Sequence, residues 1–335
     1  MVRIGIIGIG FMGVTHFKAI EKVKGAKVAA ICTRDARKLK GDWRKVQGNF
    51  GGSGGVQDLT GVAQYREIDG ILADPKVDMV NICLPSNMHV EWTLKALAAG
   101  KHVFLEKPIA LTVADADRLV KAAAGRRRLL MVAHVLRYFP QFKLIADLKD
   151  SKEYGKVVAA HFKRVTARPF WWDSFDLSRT GGPAIDLHIH DSDFVQFLFG
   201  MPKTVTSSGV ITKGLVEHIN THYHFNRGPV VSAHSGWLAK QGCPFEHGYD
   251  VYFEEATLKF NSSSSEPPAL LTADGKVRKP RVSKVDGFVG EIQEAVDAVV
   301  ANRVSPVLSG RNARDSLKLV LREIQSAKQG RRVAV

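Results

Sequence analysis

Cysteine is scarce in this chain of 335 residues: there are three, Cys32, Cys83 and Cys243, far apart and without C-x-x-C spacing. The scarcity argues against a disulfide framework and a thiolate zinc site, and it makes a reducing cytoplasm the expected location. Long apolar runs are missing too. The longest, residues 2–9 and 129–136, fall well short of the roughly 20 residues that span a bilayer, and Met1 leads straight into the first, so neither a membrane partner nor a signal peptide is expected. Aromatic residues do not interleave the basic runs at residues 126–128 and 328–332, so the formal net charge of +15 carries no nucleic-acid footprint. A general field that draws in anionic small molecules is its expected consequence.

With 45% hydrophobic and 24% charged residues the composition is that of a globular protein. The length exceeds what one hydrophobic core usually serves, which predicts two domains. Up to about residue 136, nearly continuous apolar runs at residues 2–9, 27–32, 78–84, 102–106 and 129–135 alternate with amphipathic stretches, the pattern of β-α-β units around a doubly wound parallel sheet covered on both faces. Phe17, Ile20 and Val23 share one helical face; Val90, Leu94, Leu97 and Ala98 share another, which stops at Gly100. Thr112 with Asp115 three residues on marks a helix start. Residues 48–61 (GNFGGSGGVQDLTG) read as a long flexible surface loop. From residue 137 onward, runs at 157–166, 204–211, 218–225, 230–238, 249–254 and 256–260 follow one another across short turns, which predicts an α+β domain on a largely antiparallel sheet; helices near 287–301 and 312–328 follow and are expected to pack against one or both domains. The expected boundaries are 1–136 and 137–335.

Gly8, Gly10 and Gly13 form G-x-G-x-x-G, with Phe11 and Met12 between the last two, directly after the first strand and at the opening of the first helix. The first glycine permits the tight turn, the second lets backbone approach a pyrophosphate, and the third lets the helix pack closely on the strand; the helix N-terminus supplies unpaired N–H donors. This predicts a bound NAD or NADP. The second strand ends in Cys32, Thr33, Arg34, Asp35, with no acid at the place where a ribose 2′-hydroxyl is normally gripped. Arg34, helped by Arg37 or Lys38, suits a 2′-phosphate, so NADP is slightly preferred.

Residues 78–112, DMVNICLPSNMHVEWTLKALAAGKHVFLEKPIALT, carry Pro85, Asn87 and His89 in P-x-N-x-H and Glu106-Lys107-Pro108 after the next strand, and Asp186 with His190 follows as D-x-x-x-H. In this order they resemble the glucose-fructose oxidoreductase, inositol dehydrogenase and MocA family of sugar-type dehydrogenases. The likeness extends from Met1 to the last helix. It implies a Rossmann domain, a C-terminal α+β domain with a large open sheet used for self-association as a homodimer or homotetramer, and cofactor contacts from Pro85, Asn87, His89, Glu106 and Lys107. A sugar-like or cyclitol-like small molecule is the implied substrate.

Oxidising a secondary alcohol needs a base near neutral pH and a cation beside the forming oxyanion. His190 is the expected proton acceptor, Lys107 the donor that polarises the substrate oxygen, and Asp186, four residues from His190 on one helical face, the partner that sustains charge and orientation. Arg137, Arg168, Trp171 and above all Trp172 are the candidate substrate contacts. His188 lies roughly 200° around the helix from Asp186, so no metal site is expected from Asp186, His188, His190 and Asp191. Two rivals remain: a glycosidase using bound NAD for transient redox, and a non-catalytic dinucleotide-binding sensor.

Overall fold

The computed structural model describes residues 1–48, 53–125, 128–168 and 179–335. In chain order the first elements are β1 (Val2–Ile7), α1 (Phe11–Ile20), β2 (Ala26–Cys32), α2 (Ala36–Leu39), β3 (Ala63–Tyr65), α3 (Ile68–Ala73), β4 (Met79–Ile82), α4 (His89–Ala98), β5 (His102–Glu106), α5 (Val113–Ala124) and β6 (Leu130–Ala133). Next come α6 (Pro140–Ser151), β7 (Val157–Ala167), a π-helical turn at Ala184–His188, α7 (Ile189–Phe199), β8 (Thr204–Thr212), β9 (Leu215–His224), β10 (Val230–Ala239), β11 (Glu246–Phe253), β12 (Ala256–Asn261), β13 (Ala269–Thr272) and β14 (Val277–Arg278). The chain ends in α8 (Gly287–Ala301), α9 (Gly310–Gln329) and β15 (Val333–Ala334).

The chain forms two compact units, Met1–Val135 with Asp286–Arg314, and Leu136–Val285 with Asp315–Val335. The first break falls one residue from the expected boundary. α8 packs against α1 within the first unit. Its apolar face (Phe288, Ile292, Ala295, Val296) is buried, and Asp286 caps it by accepting from the N–H groups of Phe288 and Val289.

The first unit holds a six-stranded sheet in the order β3-β2-β1-β4-β5-β6, every neighbouring pair parallel. Ile4, Ile6 and Ile7 of β1 and all of β4 are buried, as strands sandwiched between helices must be. β3 spans only three residues at the edge, too few for an alternation to register in the sequence. The glycine-rich stretch after α2 is better held than its composition predicts. Trp43 is fully buried, edge-on to Phe17 at 4.8 Å, and its ring N–H donates to the carbonyl of Lys38 at 2.8 Å. Asp42 bridges Val56, and the Trp43 N–H donates to the Gly55 carbonyl. A Cβ on Gly54 would stand 2.4 Å from the Trp43 carbonyl oxygen, so that glycine permits a close approach. Residues 49–52 lie outside the described residues.

The second unit holds a nine-stranded sheet in the order β14-β13-β12-β11-β7-β10-β9-β8-β15, in which β7 and β10 are parallel and the other pairs antiparallel. One face buries Ala160, Phe162, Val231, Ala233, Tyr249 and Val251 against Phe142 and Ile145 of α6 and Phe194 and Val195 of α7. His247 sits among Phe142, Phe245 and Phe260, at ring distances of 5.7, 5.6 and 6.0 Å. Burial, with a smaller push from the Arg164 cation, lowers its pKa from 6.5 to about 4. The unfolded chain therefore binds a proton that the folded one refuses between those values. Stability is whole above about pH 6.5 and falls by about 3 kcal/mol as pH drops towards 4. In His247→Phe, denaturant titrations across this range should show a correspondingly shallower acid loss.

Candidate active site

Parallel pairing brings the motif-bearing strand ends of the first unit into one row. Cys32 of β2 is level with Ile7 of β1, Ile7 with Ile82 of β4, and Ile82 with Leu105 of β5. The residues that follow are Thr33-Arg34, the Gly8 turn, Cys83 leading to Pro85-Asn87-His89, and Glu106-Lys107. They lie side by side at the carboxyl edge of the sheet, around the β1/β4 switch point where such sheets bind ligands.

The glycine turn divides its labour. Gly8 has φ +96°, and a Cβ there would meet the Cys83 carbonyl oxygen at 2.6 Å; at Gly13 a Cβ would stand 2.0 Å from the Gly8 carbonyl oxygen. Those two glycines serve the protein's own packing. Gly10 has an ordinary extended backbone (φ −93°) and nothing within 4 Å of its Cβ position, so its smallness leaves room for a ligand. It stands at the N-terminus of α1, whose first turn carries no acidic residue. Phe11 and Met12 open that turn half-buried. These features fit a dinucleotide's pyrophosphate.

At the end of β2, Asp35 is spent as the cap of α2, accepting from the N–H groups of Arg37 (2.9 Å) and Lys38 (3.3 Å). Both bonds end on one oxygen, and the other lies 3.7 Å from the Arg37 guanidinium. Arg34 and Arg37 are exposed, and the Lys38 ammonium reaches back 2.8 Å to the carbonyl of Ile9 within the glycine turn.

Among the P-x-N-x-H residues, Asn87 is exposed and Pro85 opens a short helical turn. His89 is fully buried, with its ring nitrogens 2.7 Å from the Pro108 carbonyl oxygen and 2.9 Å from that of Leu84. It ties the two loops together. Glu106 is buried; one carboxylate oxygen accepts the backbone N–H of Lys107 at 3.0 Å, and the other lies 3.2 Å from Nε2 of His16. Burial opposes the charge of Glu106, but His16 outweighs it and holds the carboxyl below its ordinary pKa. Lys107 itself is half-buried.

In the second unit, Asp186 lies in the π-helical turn and His190 in the first turn of α7. Both are partly exposed, whereas His188 and Asp191 are fully buried. The inward face is riveted by charge. The Arg164 guanidinium pairs with Asp191 (3.0 and 3.2 Å), Ser235 donates to Asp191 (2.8 Å) and accepts from Nδ1 of His188 (2.7 Å), and Nε2 of His188 lies 2.6 Å from Glu323 of α9. Arg137 is part of this framework and is corrected as a substrate contact: it is 3% exposed and bidentate to Asp193 at 2.9 and 2.6 Å. Arg168 is about half-exposed, 3.9 Å from Glu217, with its guanidinium over Trp237. Trp171 and Trp172 lie outside the described residues.

Two residues of the first unit went unnoticed in the sequence. His16 sits on the buried face of α1, where an apolar side chain would pass unremarked. Glu291 is a carboxylate on the apolar face of α8 and is fully buried; a lone charge within that periodicity was the available signal.

Residues 2–134 match the model of an oxidoreductase family with an NAD-binding Rossmann fold, and residues 142–259 match the GFO/IDH/MocA C-terminal domain. The chain belongs to the GFO/IDH/MocA family of oxidoreductases. A myo-inositol 2-dehydrogenase of Thermotoga maritima is 30% identical over 199 residues, 59% of this chain; the match spans only about half of that relative's length (55%). An inositol 2-dehydrogenase of Rhizobium meliloti is 24% identical over 349 aligned positions, covering 100% of this chain and 99% of its own. Among solved structures, an aldose-aldose oxidoreductase of Caulobacter crescentus shares the fold with a TM-score of 0.83 at 20% identity, over 100% of this chain and 99% of that one. Among the described residues of this GFO/IDH/MocA chain, no group of three or more histidine, cysteine or acidic side chains is placed to hold a metal ion, and no helix is long and apolar enough to cross a membrane.

The contrast between the glycines is open to test. Gly10→Ala should keep stability within about 0.5 kcal/mol while weakening dinucleotide binding at least about tenfold. Gly13→Ala should itself lose about 1–3 kcal/mol of stability. Thermal unfolding together with a fluorescence titration of reduced cofactor reads both.

Proposed function

We propose that this protein transfers hydride between a nicotinamide cofactor and a secondary alcohol or ketone of a sugar, cyclitol or sugar derivative. The observation that carries the reading is the row of level strand ends, in which Lys107 follows β5 at the same sheet edge as a turn whose central glycine is open to a ligand, with only the end of β4 between them. When bound, the nicotinamide supplies the hydride acceptor or donor. Lys107 polarises the substrate oxygen, His190 takes up its proton, and Asp186 sustains the charge on that histidine. The firm seating of α7 supports these last two roles, since a base must be held within hydrogen-bond reach of the proton it removes. Pro85, Asn87, His89 and Glu106 shape the cofactor side, and Arg168 and Trp172 are proposed on the substrate side. The family's inositol and aldose enzymes support the substrate class. A homodimer or homotetramer in the cytoplasm is the proposed working form.

For the cofactor, NADP is favoured. Asp35, just past the end of β2, caps α2 through one oxygen, while Arg34, Arg37 and Lys38 leave an excess of cations there for a 2′-phosphate. Arg34→Ala combined with Arg37→Ala should raise the KM for NADP by about tenfold or more and leave that for NAD nearly unchanged. Equal effects on both cofactors would overturn the preference.

Incubating the protein with either cofactor and a panel of polyols, aldoses, sugar acids and aryl glycosides, while following nicotinamide absorbance, tests the reading. Stoichiometric reduced cofactor from a free polyol or sugar is expected. Release of an aglycone without net cofactor reduction would indicate the glycosidase, and tight cofactor binding with no turnover the sensor. On the substrate so found, His190→Ala should lower turnover about a hundredfold or more with cofactor affinity little changed. Lys107→Ala should slow turnover without unfolding the protein, and a normal rate in either variant would remove that residue's role.

A further inference from the structure

The imidazole of His16 lies beneath the row of strand ends, fully buried between the rings of Phe104 and Phe288 at 5.7 and 6.0 Å. Its protonation can be read from its neighbours. Asn81 donates its amide N–H to the Phe104 carbonyl (3.2 Å), so its Oδ1 faces Nδ1 of His16 at 2.8 Å, and that nitrogen must carry a proton. Nε2 faces two carboxyls, Glu106 at 3.2 Å and Glu291 at 3.6 Å, as ion-pair contacts. Cys83 touches Nδ1 from the side, with its sulfur at 3.7 Å. Burial opposes a charged ring, but Cys83 and Glu106 outweigh it and hold the pKa of His16 well above the usual imidazole value. Burial pushes Glu291 the other way, far above the carboxylate range, so it keeps its proton. The result is one buried ion pair, His16 with Glu106, and a neutral acid behind it.

Glu106 is thus held on both sides, one oxygen in ion-pair contact with the ring of His16 and the other accepting the backbone N–H of Lys107. The carboxylate cannot turn without breaking one of the two. On the far side of Lys107, the Pro108 carbonyl oxygen is held by His89. We propose that His16 is a positioning residue for Lys107: buried on α1 and remote from any substrate, it fixes Glu106 as the anchor of the lysine's backbone. This rests on the reading of Lys107 as the polarising cation. It assigns work to a side chain on the inner face of the dinucleotide-binding helix, and it explains why β5 ends on a buried carboxylate.

His16→Gln keeps a hydrogen-bond donor near Glu106 but removes the charge and the two-sided grip. Hydrogen exchange followed residue by residue should show the Lys107 amide exchanging about tenfold faster or more, while the other amides of β5 keep their protection. On the substrate found by the panel, kcat should fall about tenfold with KM for the cofactor little changed, and the substitution should cost nothing further in a Lys107→Ala background. An unchanged Lys107 amide, a uniform loss of protection across β5, or an equal cost in both backgrounds would overturn the positioning role. A normal rate in Lys107→Ala alone would instead remove the catalytic reading on which it stands. Should His16→Gln not fold, nitrogen NMR of the wild-type ring decides: both ring nitrogens protonated at about pH 8 is the expected result, and a neutral ring there overturns the proposal.

Discussion

The pairing of β1 with both β2 and β4 in parallel is the constraint on which the nucleotide-binding half depends. It makes four strands end at one level, so that segments separated by dozens of residues deliver their motif side chains to a single edge. The turn at Gly8 works only because that pairing brings the Cys83 carbonyl close enough to forbid a side chain there. Gly13 then lets α1 settle onto the turn, and α1 carries His16 inward to meet Glu106 and, from a helix late in the sequence, Glu291. A change of register in β1 would dissolve the turn, the row and the buried charge together.

The other unit is organised by a different kind of constraint. One helix, α7, presents Asp191 and Asp193 to its own core, and each is answered by a buried arginine and a serine. Such pairs cost much in desolvation, and breaking one by removing a partner is strongly destabilising, by about 3–5 kcal/mol. What they give is direction. A helix seated only by apolar contacts could rotate or slide with little change in energy, whereas one held by bidentate pairs has a single seating. Asp186 and His190 inherit that definition, because they lie at the same end of the same helical stretch.

Much of this was legible in the residues. The β-α-β alternation, the glycine turn and its helix, the largely antiparallel second sheet and the break near residue 136 follow from apolar spacing and turn chemistry, each a local signal. What was not legible depends on distant partners. Arg137 reads as a cation beside a candidate site until Asp193, 56 positions on, is found to consume it. The helix from Gly287 reads as able to pack on either domain, because its apolar face names no partner; its packing against α1 is a contact between distant stretches of chain. The glycine-rich stretch reads as slack because composition cannot report that Trp43 closes over it. β13 and β14, four and two residues long, fall below the length at which alternation can be told from chance.

The nine-stranded sheet ends on both sides in its shortest members, β14 and β15, each of two residues. An exposed strand edge is a template onto which a stray chain can add, and a broad sheet with two long open margins would invite fibrous growth. At the first margin the outermost strand offers only two residues. At the second, β15 covers only Thr204 and Val205 of the nine-residue β8, and residues 208–212 beyond them are exposed, so this wide sheet keeps one margin open along β8.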